Sequence, residues 1–485
     1  MNYITEGYQP AAALRYFEDI CAIPHGSGNE KGVADYIEQF AIDHKLEYRR
    51  DALHNMFIRK PATAGYEDCP AVMLQGHTDM VCEKNKDTVH DFEHDPLKLY
   101  IEDGWLKAKG TTLGGDDGIA VALMLAILAD DTIEHPVLEC LFTVQEETGL
   151  DGAENFDYGC VTAARLINLD SEEEGEAIVG CAGGMRLAFD LEYETVPLGN
   201  KPIKLEITGL AGGHSGADIH LGRANAIKLM GRVLTTLYHD QPFNLIHIEG
   251  GSKTNAIPRE CEAVISPLDI NAVKEKAASL EKIIRHELSS ADKGFKLRVS
   301  KASGYEKMLT YKDSGRVISL LSIVPYGIRT MSPTMAGLVE SSVNPGVITM
   351  TEEKIRLNCS ARSSVESVMD AMRFDFDELA KVVGATLDAG SRYPGWEYDK
   401  NSRLQRDFIK TYKAVFGADA DPKVRALHAG LECGIIKSKI AALGGSLDAI
   451  SIGPNAYDIH TPDEKLGLAS VEKIWHLVLA LIKLK

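Results

Sequence analysis

The chain has 485 residues, 45% hydrophobic, 25% charged and 7% aromatic, which is the make-up of a folded globular protein long enough for two domains. Its 52 basic and 71 acidic residues leave a net charge of −19, so nucleic-acid phosphate and anionic lipid are not expected as partners. No stretch reaches the ~20 apolar residues of a membrane span, the opening MNYITEGYQP lacks a basic region ahead of an apolar one, and the nine cysteines include no CxxC pair, so a reducing, cytoplasmic setting is expected.

In chain order, residues 11–22 and 30–45 place apolar side chains at three- and four-residue spacing and read as amphipathic helices. Residues 70–76 read as a short buried strand, 118–130 as a helix that is apolar all round, and 137–144 and 165–169 as two more buried strands. Buried strands alternating with helices indicate an α/β layered domain. Near residue 187 the texture changes. Residues 187–195 and 203–208 alternate apolar and polar, as strands with one wet face do. Residues 273–288 and 365–383 read as amphipathic helices, so this middle stretch predicts an open α+β unit. After about residue 395 the buried pattern returns, with a strand at 449–452 and an apolar helix at 471–484. Segments 1–186 and 396–485 are therefore expected to build one domain, with 187–395 inserted into it. DGAENFDYG at 151–159 and YPGWEYDKNS at 393–402 look like loops, and no internal repeat is visible.

Acidic and imidazole groups recur just after the predicted buried strands. His77-Thr78-Asp79 follows 70–76, Gln145-Glu146-Glu147 follows 137–144, and Asp170 follows 165–169. Gly114-Gly115-Asp116-Asp117 precedes the apolar helix, and His460 lies shortly after 449–452. In open α/β sheets ligands bind outside the carboxyl ends of the strands, so His77, Asp116, Glu147, Asp170 and His460 are expected to converge. Two imidazoles and three carboxylates suit a pair of divalent transition ions, zinc first, with cobalt or manganese also acceptable. Such a pair needs one bridging carboxylate, and Asp116, at a helix start, can fill that place. Asp79 is placed to accept the second ring proton of His77. Glu146 neighbours a ligand but points elsewhere on an extended backbone, which makes it the candidate general base for a water. A lone HxD arises by chance about once in such a composition. Five groups in order after successive strands are far more specific.

Eight stretches carry a resemblance to a known family: LQGHTDMV at 74–81, GTTLGGDDGIA at 110–120, TVQEETGLDGA at 143–153, LINLDSEEEGE at 166–176, GLAGGHSGADIHLGRANA at 209–226, GGSKTNAIPRE at 250–260, HAGLECG at 428–434 and HTPDE at 460–464. Over essentially its whole length the sequence resembles the aminoacyl-histidine dipeptidases (PepD-like, also called cytosolic non-specific dipeptidases). These belong to the zinc metallopeptidase superfamily of aminoacylases and carboxypeptidases. The resemblance implies a zinc-peptidase-like catalytic domain, a mixed sheet flanked by helices, with an inserted α+β lid domain. It implies one metal on His77, Asp116 and Asp170 and another on Asp116, Glu147 and His460, with Asp79 supporting His77 and Glu146 as base. It also implies a cis Asp116–Asp117 peptide. His214 is expected to stabilise the oxyanion, and Asn255 and Arg362 to hold the substrate backbone and its C-terminal carboxylate. His428 and Glu432 are expected at the substrate end of the cleft without an assigned chemical role. Gly115 stands where the family often has alanine, a change expected to be harmless to the metals. The implied activity is hydrolysis of dipeptides with a free C-terminus, Xaa-His and β-Ala-His among them, by a chain that relatives often pair into a homodimer. An aminoacylase or carboxypeptidase of the same superfamily is the nearest alternative, and a catalytically dead metal-binding protein a more distant one. Activity on free dipeptides against N-acyl amino acids and longer peptides separates the enzymes.

Overall fold

Unbroken apolar runs and alternating runs give two different sheets. In the computed structural model, which describes residues 3–485, the chain divides into two units. The first comprises the residues up to Gly180, Tyr398–Ala426 and Leu431–Lys485; the second comprises Cys181–Glu397 and Leu427–Gly430. The expected breaks were at 186/187 and 395/396.

The first unit is built on an eight-stranded mixed sheet. At its centre Val72–His77 runs parallel to Leu138–Thr143 on one side and to Arg165–Asn168 on the other, and Asp448–Ser451 continues parallel beyond that. Every residue of Val72–His77 and Leu138–Thr143 is buried, as strands covered on both faces require. The helix Gly115–Ala129 is buried from Asp117 to Leu128, which explains its lack of a polar face. Its last turn is closed by Lys60, whose Nζ donates to Leu128 O and Asp130 O at 3.0 Å each. It packs against Val72–His77 at Gly76, where a Cβ would come 2.5 Å from Asp117 Oδ2 and 2.6 Å from Ala120 Cβ. A small four-stranded sheet includes Trp105–Ala108, Ala456–Tyr457 and Lys465–Gly467, and so frames the loop that carries His460.

One predicted loop is corrected. Asp151–Asn155 is a short helix, followed by a tight 3₁₀ turn at Tyr158–Cys160. Gly152 within the helix is there for space, since a Cβ would collide with Val144 O and the Asn55 side chain. The stretch after Tyr393 forms no further helix or strand up to Ser402, yet Trp396 is only 3% exposed, with its backbone paired to Cys181.

The second unit has a nine-stranded sheet whose ladders are all antiparallel. Along Ile203–Thr208, Ile203, Leu205 and Ile207 are buried while the residues between them are half-exposed. That alternation seats one face on the helices Ala226–Asp240, Ile270–Glu287, Tyr311–Ile323 and Glu366–Val383, which share a single apolar core with the sheet. The unit repeats itself in topology. Ile203–Thr208, Ala226–Asp240, Asn244–Gly250, Cys261–Ser266, Ile270–Glu287 and Lys296–Lys301 follow the order β-α-β-β-α-β. Gly183–Glu192, Tyr311–Ile323, Val339–Met350, Lys354–Ser363, Glu366–Val383 and Thr386–Tyr393 follow the same order. Each set places its strands as fourth, first, third, second across the sheet, and the two second strands meet edge to edge at Gly250 and Ile348. The repeat is one of strand order and was invisible as sequence because one set is inserted inside the other.

Candidate metal centre

The carboxyl ends of the parallel strands in the first unit bring the acids and imidazoles together. Val72–His77 ends on His77, which is 1% exposed. His77 Nε2 stands 3.1 Å from Asp116 Oδ1 and 3.8 Å from Asp170 Oδ1. His460 Nε2 stands 3.2 Å from Asp116 Oδ2 and 2.8 Å from Glu147 Oε1. The two oxygens of Asp116 thus face two different imidazoles. Ligand atoms of His77, Asp116 and Asp170 all lie within 4.8 Å of one another, and so do those of Asp116, Glu147 and His460. The five groups picked from the sequence therefore form two triads that share one carboxylate, the arrangement a pair of ions requires. The Asp116–Asp117 peptide is cis, and the buried Asp117 accepts the His77 backbone N–H on Oδ2 at 3.2 Å.

Asp79 and Glu146 are arranged differently from the sequence expectation. His77 Nδ1 lies 3.0 Å from the Asp79 carbonyl oxygen and 3.4 Å from Asp79 Oδ1. The main-chain oxygen of Asp79 is therefore the nearer acceptor for the ring proton, and Nε2 is left for an ion. The carboxylate of Asp79, 3.4 Å from the ring through Oδ1, also accepts from Glu146 N at 3.0 Å, Glu147 N at 3.3 Å and Ser27 Oγ at 2.7 Å. The backbone at Glu146 is not extended. Gln145 is left-handed (φ 54°) and Glu146–Gly149 forms one helical turn, with Asp79 capping its first amides. That turn brings Glu146 and Glu147 together beside His77, with carboxylate oxygens and the imidazole within 4.8 Å. Ser27 and Glu30, which accepts from Gln145 N at 3.1 Å, support the turn from a Gly-rich loop that gave no signal in the sequence.

The electrostatics favour positive charge at the centre. Burial alone would lower the His77 imidazole, but hydrogen bonds to Asp116 and Asp79 hold it well above its usual range. The carboxylates of Asp116 and Glu147 push His460 up to about 10. Asp116 is held below the usual carboxylate range: its burial is outweighed by hydrogen bonds to His460 and His77. Burial raises Glu146, Asp117 and Asp170 well above that range, and their acidic neighbours add to the effect. Among the described residues no Lys or Arg forms an ion pair with Asp79, Asp116, Glu146, Glu147 or Asp170. By contrast, in another grouping of this kind, His247, Glu249 and Glu262, Lys204 Nζ already neutralises Glu262 at 2.6 Å. Largely covered carboxylates gathered without a basic partner around two imidazoles are a donor set for divalent cations.

A polar network beneath the centre was not foreseen. Gln75 Nε2 donates to Glu432 Oε2 at 2.5 Å and to Thr143 Oγ1 at 3.1 Å, and Thr143 Oγ1 donates to Glu432 Oε2 at 2.7 Å. Asn168 Nδ2 donates to Gln75 Oε1 at 2.7 Å, and Asn168 Oδ1 accepts from Asp170 N at 3.3 Å. Side chains thus cross-link the ends of three neighbouring strands, those leading to His77, Glu147 and Asp170. Glu432 itself is fully buried, and burial pushes its carboxyl up to about 7.

His214, Asn255 and Arg362 belong to the second unit and lie together there. His214 sits on the two-residue strand paired with Ala256–Ile257, and Ser215 N donates to the Asn255 carbonyl at 2.8 Å. His214 Nδ1 accepts from Ala217 N at 2.9 Å, so the ring proton rides on Nε2. Burial, with Arg362 adding, lowers the imidazole and keeps it neutral. Arg362 is 7% exposed; its Nη1 donates to Tyr393 Oη at 3.0 Å and its Nε is buried without a partner. His428 Nε2 meets Ser342 Oγ at 2.7 Å, and Gly216 fits between the His428 carbonyl and Arg362, where a Cβ would lie 3.0 Å from Arg362 Nε.

Residues 205–292 match the family described as a peptidase dimerisation domain. Over 471 residues, 96% of each chain, the sequence is 41% identical to the cytosol non-specific dipeptidase of Escherichia coli (strain K12). The crystal structure of aminoacylhistidine dipeptidase from Vibrio alginolyticus matches with a TM-score of 0.88 and 37% identity, over 99% of this chain and 98% of that one. Aminopeptidase PepT from Bacillus cereus, 17% identical with a TM-score of 0.55 over 98% of both chains, shares the fold. With such identity over nearly the whole of both proteins, the chain belongs to the family of the cytosol non-specific and aminoacylhistidine dipeptidases.

Proposed function

We propose that this chain is a dinuclear metal-dependent dipeptidase. It hydrolyses the peptide bond of dipeptides with a free C-terminus, with Xaa-His substrates, including β-Ala-His (carnosine) type, as the first choice. The observation that carries this is Asp116, whose two carboxylate oxygens reach toward His77 and His460 at 3.1 and 3.2 Å. The substrate class is supported by the 41% identical cytosol non-specific dipeptidase and the 37% identical aminoacylhistidine dipeptidase.

In this reading His77, Asp116 and Asp170 hold one ion and Asp116, Glu147 and His460 the other, with zinc first and cobalt or manganese as alternatives. Two such ions supply Lewis acidity, polarising the substrate carbonyl and acidifying a water. Glu146 takes the water proton onto its carboxylate and delivers it to the nitrogen of the leaving amine. Asp79 keeps Glu146 and Glu147 on one rigid turn through their amides. His214 offers its Nε2–H to the oxyanion, a donor fixed by the Ala217 amide on Nδ1. Arg362, with its unpartnered Nε, takes the substrate's C-terminal carboxylate, and Asn255 takes the substrate backbone. The second unit serves as the lid. The match of residues 205–292 to a dimerisation domain supports a homodimer. No helix among the described residues is long and apolar enough to cross a membrane, and we place the enzyme in the cytoplasm with its named relative.

The test is a panel of free dipeptides, N-acyl amino acids and longer peptides, run on chelator-stripped protein with and without added zinc or cobalt. Dipeptide hydrolysis that appears only with metal is the expected result. Preference for N-acyl amino acids would reassign the chain to the aminoacylases. Glu146→Ala should keep two ions per chain, measured by atomic emission, while turnover falls by about 10²–10⁴. Parent-like turnover in that variant would remove Glu146 as the base.

A further inference from the structure

Glu464, the last residue of HTPDE, is 3% exposed and has no part in the scheme above. Its carboxylate faces the backbone just ahead of the helix Gly115–Ala129. Oε2 accepts from Leu113 N at 2.7 Å and Gly114 N at 3.2 Å, and Oε1 accepts from Gly115 N at 2.8 Å and Asp116 N at 3.4 Å. A helix start leaves such amides without partners, and one buried carboxylate gathers these. The same residue closes the loop of His460: Glu464 N donates to Thr461 O at 3.1 Å, and Thr461 Oγ1 donates to Asp458 O at 2.6 Å. Asp458 and His460 are both left-handed, with φ of 56° and 60°. A loop held in that conformation needs its ends fixed. Beyond the ligands' own contacts, the Glu464 side chain ties the Asp116 segment to the His460 loop.

We propose that Glu464 is a positioning residue for the Asp116–Glu147–His460 triad. It holds the backbone of the shared carboxylate and the loop of its second imidazole in one frame before an ion arrives. This deepens the dinuclear reading and rests on it. Without the Glu464 carboxylate, four amides lose their common acceptor and His460 is released relative to Asp116. The His77–Asp116–Asp170 triad keeps its two strand-borne ligands, so the loss falls mainly on one ion. Groups that orient metal ligands from behind are typically worth about 10–100-fold in metal affinity.

The experiment compares the parent with Glu464→Gln and Glu464→Ala, each dialysed against graded chelator and then assayed for zinc per chain by atomic emission. Circular dichroism of each variant checks that the chain is folded, and Glu464→Gln, which keeps the volume, stands in if Glu464→Ala does not fold. The expected result is a parent that releases its two ions over a narrow chelator range. The variants should lose one ion at about 10–100-fold lower chelator strength and retain the other as the parent does. Dipeptide turnover of Glu464→Gln should recover in excess zinc with kcat restored, which a merely misfolded variant would not do. Two ions retained by the variants as tightly as by the parent would overturn the positioning role and leave the dipeptidase reading intact. A parent that holds no ions would overturn both.

Discussion

A buried histidine with no acid against its ring stays neutral far below its ordinary titration range. His428 is 8% exposed, and burial, with Arg362 and His214 adding, pushes its imidazole down to about 3. The unfolded chain protonates the same ring near its ordinary value of about 6.5. Between those two values the unfolded state binds a proton that the folded state refuses, so folding is favoured above pH 6.5 and loses ground as pH falls toward 3. One such group contributes a slope of about 1.4 kcal/mol per pH unit in that window. His428→Gln should therefore flatten the acid side of the stability profile, measured as urea unfolding between pH 4.5 and 7. A variant profile as steep as the parent's would show that the proton is taken up elsewhere. At this scale the sequence was informative where chemistry has a spacing. His77, Glu147, Asp170 and His460 lie at or after strand ends and Asp116 at a helix start, and the sheet carries such positions to one edge. It gave Glu464 and Glu432 no chemical role beyond their place in HTPDE and HAGLECG and was silent on Ser27, because a carboxylate that accepts backbone amides, as Glu464 does, or neighbouring side chains, as Glu432 does, or a hydroxyl that holds Asp79, leaves no periodic mark. Glu146 was picked out from a premise of extended backbone, whereas a left-handed Gln145 turns it into the site.

Elements reach their places through single small residues as much as through apolar faces. The helix Gly115–Ala129 carries Asp116 and Asp117 at its start and lies against Val72–His77 at Gly76. Alanine at 76 would put a Cβ 2.5 Å from Asp117 Oδ2 and 2.6 Å from Ala120 Cβ. Overpacking a rigid contact of this kind costs about 1–3 kcal/mol. Gly76→Ala is expected to lower the melting temperature and also to weaken ion retention, since the helix start must move to make room. A change in melting alone, with zinc content untouched, would mean that the helix yields somewhere other than its first turn. Helices with regular three- and four-residue spacing were legible in the sequence; so were strands buried on both faces. The helix Asp151–Asn155 was not, because five residues carry too little periodicity to show a buried face.

Over the whole chain, the return of buried patterning near residue 400 revealed that distant segments share a sheet: Asp448–Ser451 pairs with Arg165–Asn168. The doubled β-α-β-β-α-β order of the second unit stayed hidden, since strand order is a property of pairing and the two sets share no visible sequence period. All five proposed ligands fall in the first unit, drawn from residues 77 to 460. Among the described residues no Lys or Arg is ion-paired to their crowded carboxylates, so each ion that binds the native state and not the unfolded one stabilises that unit by linkage. At a hundred times its dissociation constant one ion contributes about 2.7 kcal/mol. Chelation should accordingly lower the melting temperature, with zinc restoring it in proportion to the logarithm of its free concentration. Hydrogen exchange locates the effect. Amides at the ends of Val72–His77, Leu138–Thr143 and Arg165–Asn168 should exchange faster without metal, while those of the second unit's core strands, such as Ile203–Thr208 and Lys354–Ser363, should keep their rates. Equal acceleration in both units would mean that the ions stabilise the whole molecule and not the sheet that gathers their ligands.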